Sequence, residues 1–122
     1  RGHTHMNCRQ FIAKSLAVRT ASHLLHLSAT SYAHHVALSE FYDTMLDLID
    51  RYAEVYMGKE GRIDNFPAIM PPRSGAVELL SDYLGLIHEE QTGDATDQAL
   101  ATILAELEVV TSQTIYKIKV LK

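Results

Sequence analysis

Apolar residues recur at spacings of one, three and four along four separate stretches, so the pattern predicts an all-α domain. Residues 8–27 lack Gly and Pro and mix Ala, Leu and Arg, which predicts a first helix of about five turns. Its apolar positions do not keep to one arc. Ile12, Leu16, Leu24 and Leu27 take one side while Phe11, Val18 and Leu25 line another, so this helix is expected to bury a second surface against a partner subunit. Helix two is predicted over 31–57, with Ser31 as N-cap, Gly58 as C′ residue, and Leu38, Phe41, Tyr42, Met45, Ile49, Tyr52 and Tyr56 along its apolar side. A third helix over 75–92 follows Ser74 as cap and carries Ala76, Leu79, Leu80, Tyr83, Leu84 and Ile87. The fourth, over 95–121, starts near Asp94. Its core stripe is Leu100, Ile103, Leu104, Leu107, Val110, Thr114, Ile118 and Leu121, while Val109, Tyr116 and Val120 lie opposite.

The breaks between these helices are unequal. Ser28–Ser31 is short enough to make helices one and two an antiparallel hairpin. Residues 58–74 hold two glycines and all three prolines. Fully extended they reach roughly 56 Å, against roughly 40 Å for helix two, so this connection can run the whole length of a bundle. The expected architecture is a ferritin-like four-helix bundle: two antiparallel hairpins joined by a long middle connection.

Composition narrows the classes. With 122 residues, 47% apolar and 21% charged, the chain is one globular domain, expected over 6–122. No apolar run approaches the roughly 20 residues a membrane span requires. A net charge of −4 with scattered Lys and Arg argues against a sequence-blind nucleic-acid binder. Lys117, Lys119 and Lys122 cluster only where they complement a helix C-terminus. One cysteine, Cys8, allows no internal disulfide, and a cytoplasmic location is expected. Residues 1–5, RGHTH, read as an expression-tag remnant, so His3 and His5 are discounted.

Candidate chemistry concentrates on helix two. Glu40, Asp43, Asp47, Asp50 and Glu54 fall within an arc of about 80° opposite its apolar side. Arg51 alone stands ready within this helix to offset their mutual repulsion. A solvated face explains such a stripe, and the histidines add a second explanation. The hairpin turn brings His26 and His35 to one end, and His and carboxylate ligands from different helices are how bundle-core iron and manganese sites are built. Glu-x-x-His is absent, as are a Gly-rich phosphate loop and a Cys pair for zinc. His23 is expected in the core with a hydrogen bond, His88 on the surface beside a helix end, and His34 without a role.

His26-Leu27, His35 and Phe41 leading to Asp50-x-x-Ala53-Glu54 resemble the ferroxidase segment of the Dps mini-ferritins over about 30 residues. That likeness implies an iron or other divalent-metal site between subunits, with His26 and His35 of one chain facing Asp50 and Glu54 of a second. The chain departs from the family's pattern at Ser39, where an aspartate would stand, and at Leu27, where a tryptophan would. Its His-to-His interval is three residues shorter, unless His23 is the counterpart, and it lacks the basic DNA-binding tail and the extra middle helix. The stretch HLLHLSATSYAHHVALSEFYD, with Ala53-Glu54 through Gly58, is similar to short uncharacterised ferritin-like proteins of tailed bacteriophages. Together these imply a phage accessory protein in the host cytoplasm. It would form a dimer or larger oligomer and bind a metal ion, a small anionic ligand or a host protein without catalysis. The alternatives are a reduced ferroxidase using His26, His35, Asp50 and Glu54, and a sponge for a nucleotide immune signal, for which Arg19, Arg51 and Arg73 are available cations.

Overall fold

The computed structural model describes residues 2–93 and 97–121, with side chains from Cys8 onward. Four helices account for the described chain: α1 Gly2–Ser28, α2 Tyr32–Glu60, α3 Ala76–Thr92 and α4 Gln98–Val120. No strand occurs among the described residues. Ser31 caps α2 as expected, its side chain accepting the His34 N–H. The other ends differ from expectation in detail. α2 runs past Gly58 to Glu60 because Lys59 and Glu60 are good helix formers, and the turn out of the helix falls on Gly61 at φ +105°, where only glycine is unstrained. Gly75, not Ser74, precedes α3 and supplies no side-chain cap. Asp97 caps α4, accepting from the Ala99 and Leu100 N–H groups; the start expected near Asp94 lies outside the described residues.

Each helix packs against two others: α1 on α2 and α3, and α4 on α2 and α3. Neighbours run antiparallel. Lys59 at the end of α2 meets Asp97 before α4, and Lys117 near the end of α4 meets Glu40 near the start of α2. The pair on the diagonal, α2 and α3, is therefore parallel. That arrangement obliges the 15 residues between Glu60 and Ala76 to travel back along the bundle. They can span about 50 Å extended, enough for the roughly 43 Å of α2. Ile63 anchors the connection in the core, and Phe66, Pro67, Ile69 and Pro71 lie along Ala13, Leu16, Ala17 and Thr20 of α1.

The centre is aromatic. Phe11 of α1 meets Tyr52 of α2 edge-on at 5.4 Å between centroids and lies parallel to Tyr83 of α3 at 6.4 Å, while Phe41 meets Tyr83 edge-on. The Tyr83 hydroxyl donates to Ser15 at 2.9 Å; burial pushes its pKa above the ordinary tyrosine value, with the Ser15 bond pulling it back. The Tyr52 hydroxyl donates to the carboxylate of Glu90 at 2.5 Å. Glu90 is only 6% exposed, a charged residue at a core position. Thr111 and Thr114 are tolerated in the core of α4 because each returns its hydroxyl to a carbonyl one turn earlier, Leu107 and Val110.

The doubled apolar pattern of α1 divides in two. Phe11, Ile12 and Val18 are buried against α2, α3 and the connection, so much of the second surface is used within the chain. Leu16, Leu24 and Leu27 remain exposed, as does Leu121, which the α4 stripe would have placed inside. Removing the hydroxyl that serves the buried carboxylate, in Tyr52→Phe, should lower unfolding free energy by about 1–3 kcal/mol. Urea denaturation of the variant checks this, and no loss would mean that the Tyr52–Glu90 bond contributes nothing net.

Candidate functional site

The α1–α2 turn gathers the histidines. α1 ends by fraying into polar bonds: the Ser28 hydroxyl donates back to Leu24 and Leu25 carbonyls, and Ala29 N–H donates to His26 O. α2 then starts on the Ser31 cap. This short reversal sets His26 against His35, ring centroids 3.7 Å apart and planes 24° from parallel. Each ring is tied to the other residue's backbone. His26 Nδ1 lies 2.6 Å from His35 O, and His35 Nδ1 lies 3.0 Å from His26 O.

A carbonyl oxygen only accepts, so both Nδ1 atoms carry the proton. In a neutral ring the lone pair then sits on Nε2, and neither Nε2 has a partner among the described residues. A second-site carbonyl on one nitrogen that leaves the other open is the arrangement that orients metal-binding histidines. His35 also caps α1, because His26 O is one of the carbonyls left over at a helix end.

The pair continues into an aromatic and cationic stack. His23 lies on the Tyr42 ring at 4.4 Å, His26 meets the same ring edge-on at 5.6 Å, and the Arg19 guanidinium stands 5.2 Å from its centroid. Arg19, His23 and His26 follow one another at four and three residues along α1, which places them on one face opposite Tyr42 and His35. His23 is half-buried, as expected for a residue near the core, but its ring is held by stacking; no hydrogen bond to it occurs among the described residues. Arg19 and Tyr42 were not foreseen as members of this group. Their spacing from His23 and His35 was visible, but their meeting depends on how the hairpin closes.

The carboxylates sit elsewhere in the protomer. Asp43, Asp47, Asp50 and Glu54 are exposed along α2, and Glu40 is bound by Lys117 at 3.3 Å. Asp50 and Glu54 stand 15 and 19 residues beyond His35 in the same helix, roughly 22 and 28 Å along its axis. One chain therefore brings His26 and His35 together and leaves Asp50 and Glu54 remote. No cluster of three His, Cys, Asp or Glu residues suited to a metal occurs among the described residues. Among the described residues, the same chain brings no third His, Cys, Asp or Glu ligand to the imidazole pair.

Two other described histidines, His34 and His88, meet partners across helices; His3 and His5 lie outside the described side chains. His34 Nε2 donates to the Leu121 carbonyl at 3.2 Å and ties the start of α2 to the end of α4. His88 is exposed and faces Glu108 across α3 and α4 at 3.4 Å. Hydrogen bonds from Gln91 and then His88 hold the Glu108 carboxyl below the usual range.

The chain belongs to a family of unknown function, DUF5856, whose model matches residues 26–118. The match opens at His26 and takes in both members of the imidazole pair. No match is found among curated proteins, nor among solved structures. No helix among the described residues is long and apolar enough to cross a membrane.

The tautomer follows from the backbone bonds and is directly measurable. Long-range ¹⁵N–¹H NMR at pH 8 should show His26 and His35 as Nδ1–H rings, and His26 should keep that form in the His35→Ala variant, because its acceptor is the backbone carbonyl of residue 35. An Nε2–H ring at either position would dismantle the pair as described.

Proposed function

We propose that this protein is a self-associating binding protein without catalytic activity, and that the paired imidazoles of the α1–α2 turn hold a divalent metal ion. The single observation that carries this reading is the double Nδ1 lock, which leaves the Nε2 atom of each stacked ring open at one end of the bundle. Two donors make a weak site on their own, and the site gains strength when a second chain adds oxygen ligands. Asp50 and Glu54 are suitable donors because they are exposed and have no cationic partner among the described residues. The exposed Leu24 and Leu27 beside the histidine end, with the exposed Leu16 further along α1, support contact with a second copy.

A second reading, oxidation of ferrous iron by dioxygen at the same inter-subunit ligands, is favoured by the likeness of His26, His35, Asp50 and Glu54 to the mini-ferritin segment. A small anion beside Arg19 and His23, or a host protein on the leucine stripe, would use neighbouring groups. The similarity to short tailed-phage proteins supports an accessory role in the host cytoplasm.

Calorimetric titration with Zn²⁺ or Co²⁺ tests the metal reading. Binding should weaken at least tenfold in His35→Ala and, if a second chain completes the site, in Asp50→Ala and Glu54→Ala. Unchanged binding in His35→Ala removes the imidazole site, while an effect of His35 without one of Asp50 or Glu54 removes the shared carboxylates. Oxygen uptake on addition of ferrous iron would favour the enzymatic reading over simple binding.

A further inference from the structure

The outer side of α4 carries a pattern that neither the core nor the imidazole site uses. Val109, Tyr116 and Val120 are 55%, 57% and 52% exposed, all large apolar side chains on one helix. Ala105, also exposed, stands four residues before Val109, and Ser112 lies three beyond it. Projected at 100° per residue, Ala105, Val109, Ser112, Tyr116 and Val120 fall within an arc of about 80°, directly opposite the buried Leu100, Leu104, Leu107, Thr111 and Ile118. Spacing of three and four with small residues interposed is what a helix presents to another helix.

Charge then selects the partner and its direction. Glu106 and Glu108 flank the N-terminal half of the stripe, and Lys117 and Lys119 flank the C-terminal half. About a midpoint between Ser112 and Gln113 the order is self-complementary: Val109 mirrors Tyr116, Ala105 mirrors Val120, and the two acids mirror the two bases. Glu106 and Lys117 lie on one flank, Glu108 and Lys119 on the other. Like flanks meet when two copies of a helix pack about a twofold axis perpendicular to both. Glu106 then faces the partner copy's equivalent of Lys117, and Glu108 that of Lys119. A parallel pairing would instead set acid against acid and base against base.

We infer that the outer face of α4 docks antiparallel on the same face of a second copy of this chain. The contact is isologous, with the twofold axis between Ser112 and Gln113. Existing ion pairs leave room for it. Glu106 and Lys119 have no ionic partner among the described residues; Lys117 meets Glu40 at 3.3 Å and Glu108 meets His88 at 3.4 Å and accepts from Gln91, yet the Lys117 and Glu108 side chains stay 41% and 42% exposed. This contact uses none of the groups proposed to bind metal, so either proposal can fail alone.

Cysteine crosslinking reads this contact irrespective of any other. Under mild oxidation Ser112→Cys should give a disulfide-linked dimer, because the two copies of position 112 flank the axis, while Thr102→Cys should not, its mirror position falling beyond the end of α4. Cys8 is buried and does not compete. Equal linking at both positions would mean a parallel contact, and linking at neither would mean no α4 contact; each overturns the inference. Charge reversal supplies the second measurement. By sedimentation, Glu108→Lys and Lys119→Glu should each weaken dimerisation at least threefold, and the double variant should regain most of it. Failure of the double variant to recover would reject the antiparallel register even if a dimer persists.

Discussion

Three aromatic rings, Phe11, Tyr52 and Tyr83, belong to three helices and meet at the centre of the bundle. Edge-on and offset contacts of this kind add about 0.5–1.5 kcal/mol per pair beyond the area they bury. They also fix relative heights, because a ring cannot slide by a turn without leaving its partner. Tyr52 and Tyr83 come from the diagonal helices α2 and α3, so their common partner Phe11 acts with the Phe41–Tyr83 contact and the Tyr52–Glu90 bond to hold that diagonal. The parallel sense of that diagonal, and hence the lengthwise course of residues 61–75, is bound up with this one cluster. Both tyrosine hydroxyls then find acceptors, Glu90 and Ser15, within the same layer. A core carrying this many polar groups specifies one arrangement, since any slip would strand a buried donor or carboxylate.

From that fixed centre the two ends of the bundle acquire different characters. At the α1–α2 turn, imidazoles replace ordinary capping groups. His35 satisfies the carbonyl of His26 and His26 returns the bond, so the rings are ordered by backbone rather than by other side chains. The cost of fixing their rotamers is thereby borne in folding. The outer faces of α1 and α4 keep apolar residues that the interior does not need. Chains that leave large apolar side chains on two well-separated helical faces have surface to offer to other molecules.

Much of the architecture was legible because helical burial repeats at a short, fixed period. The four helices, the Ser31 cap and the long connection follow from apolar spacing, Gly and Pro positions and one N-cap residue. Small errors arose where local signals compete: Gly58 reads as a helix end, yet one glycine near a terminus costs only about 1 kcal/mol. Glu90 shows the limit of weighing charge above period. It falls seven residues after Tyr83 and three after Ile87, a core position by spacing, and the hydroxyl of Tyr52 in another helix meets its carboxylate there. The candidate site was half legible. His26 and His35 were placed at one end by the shortness of the turn, but Arg19, His23 and Tyr42 could not be assembled around them from one helix alone.

The sequence by itself determined the all-α class, the number and approximate bounds of the helices, and the segregation of acids onto the exposed side of α2, since each depends on residues within a few turns of one another. Tertiary structure alone decided which histidine nitrogens remain open, which of the two apolar sides of α1 is buried, and that Asp50 and Glu54 stand far from the imidazoles of their own chain. Those outcomes depend on distances between residues remote in sequence. Such distances are set when the aromatic layer fixes the helices against one another, and no periodicity along a single helix encodes them.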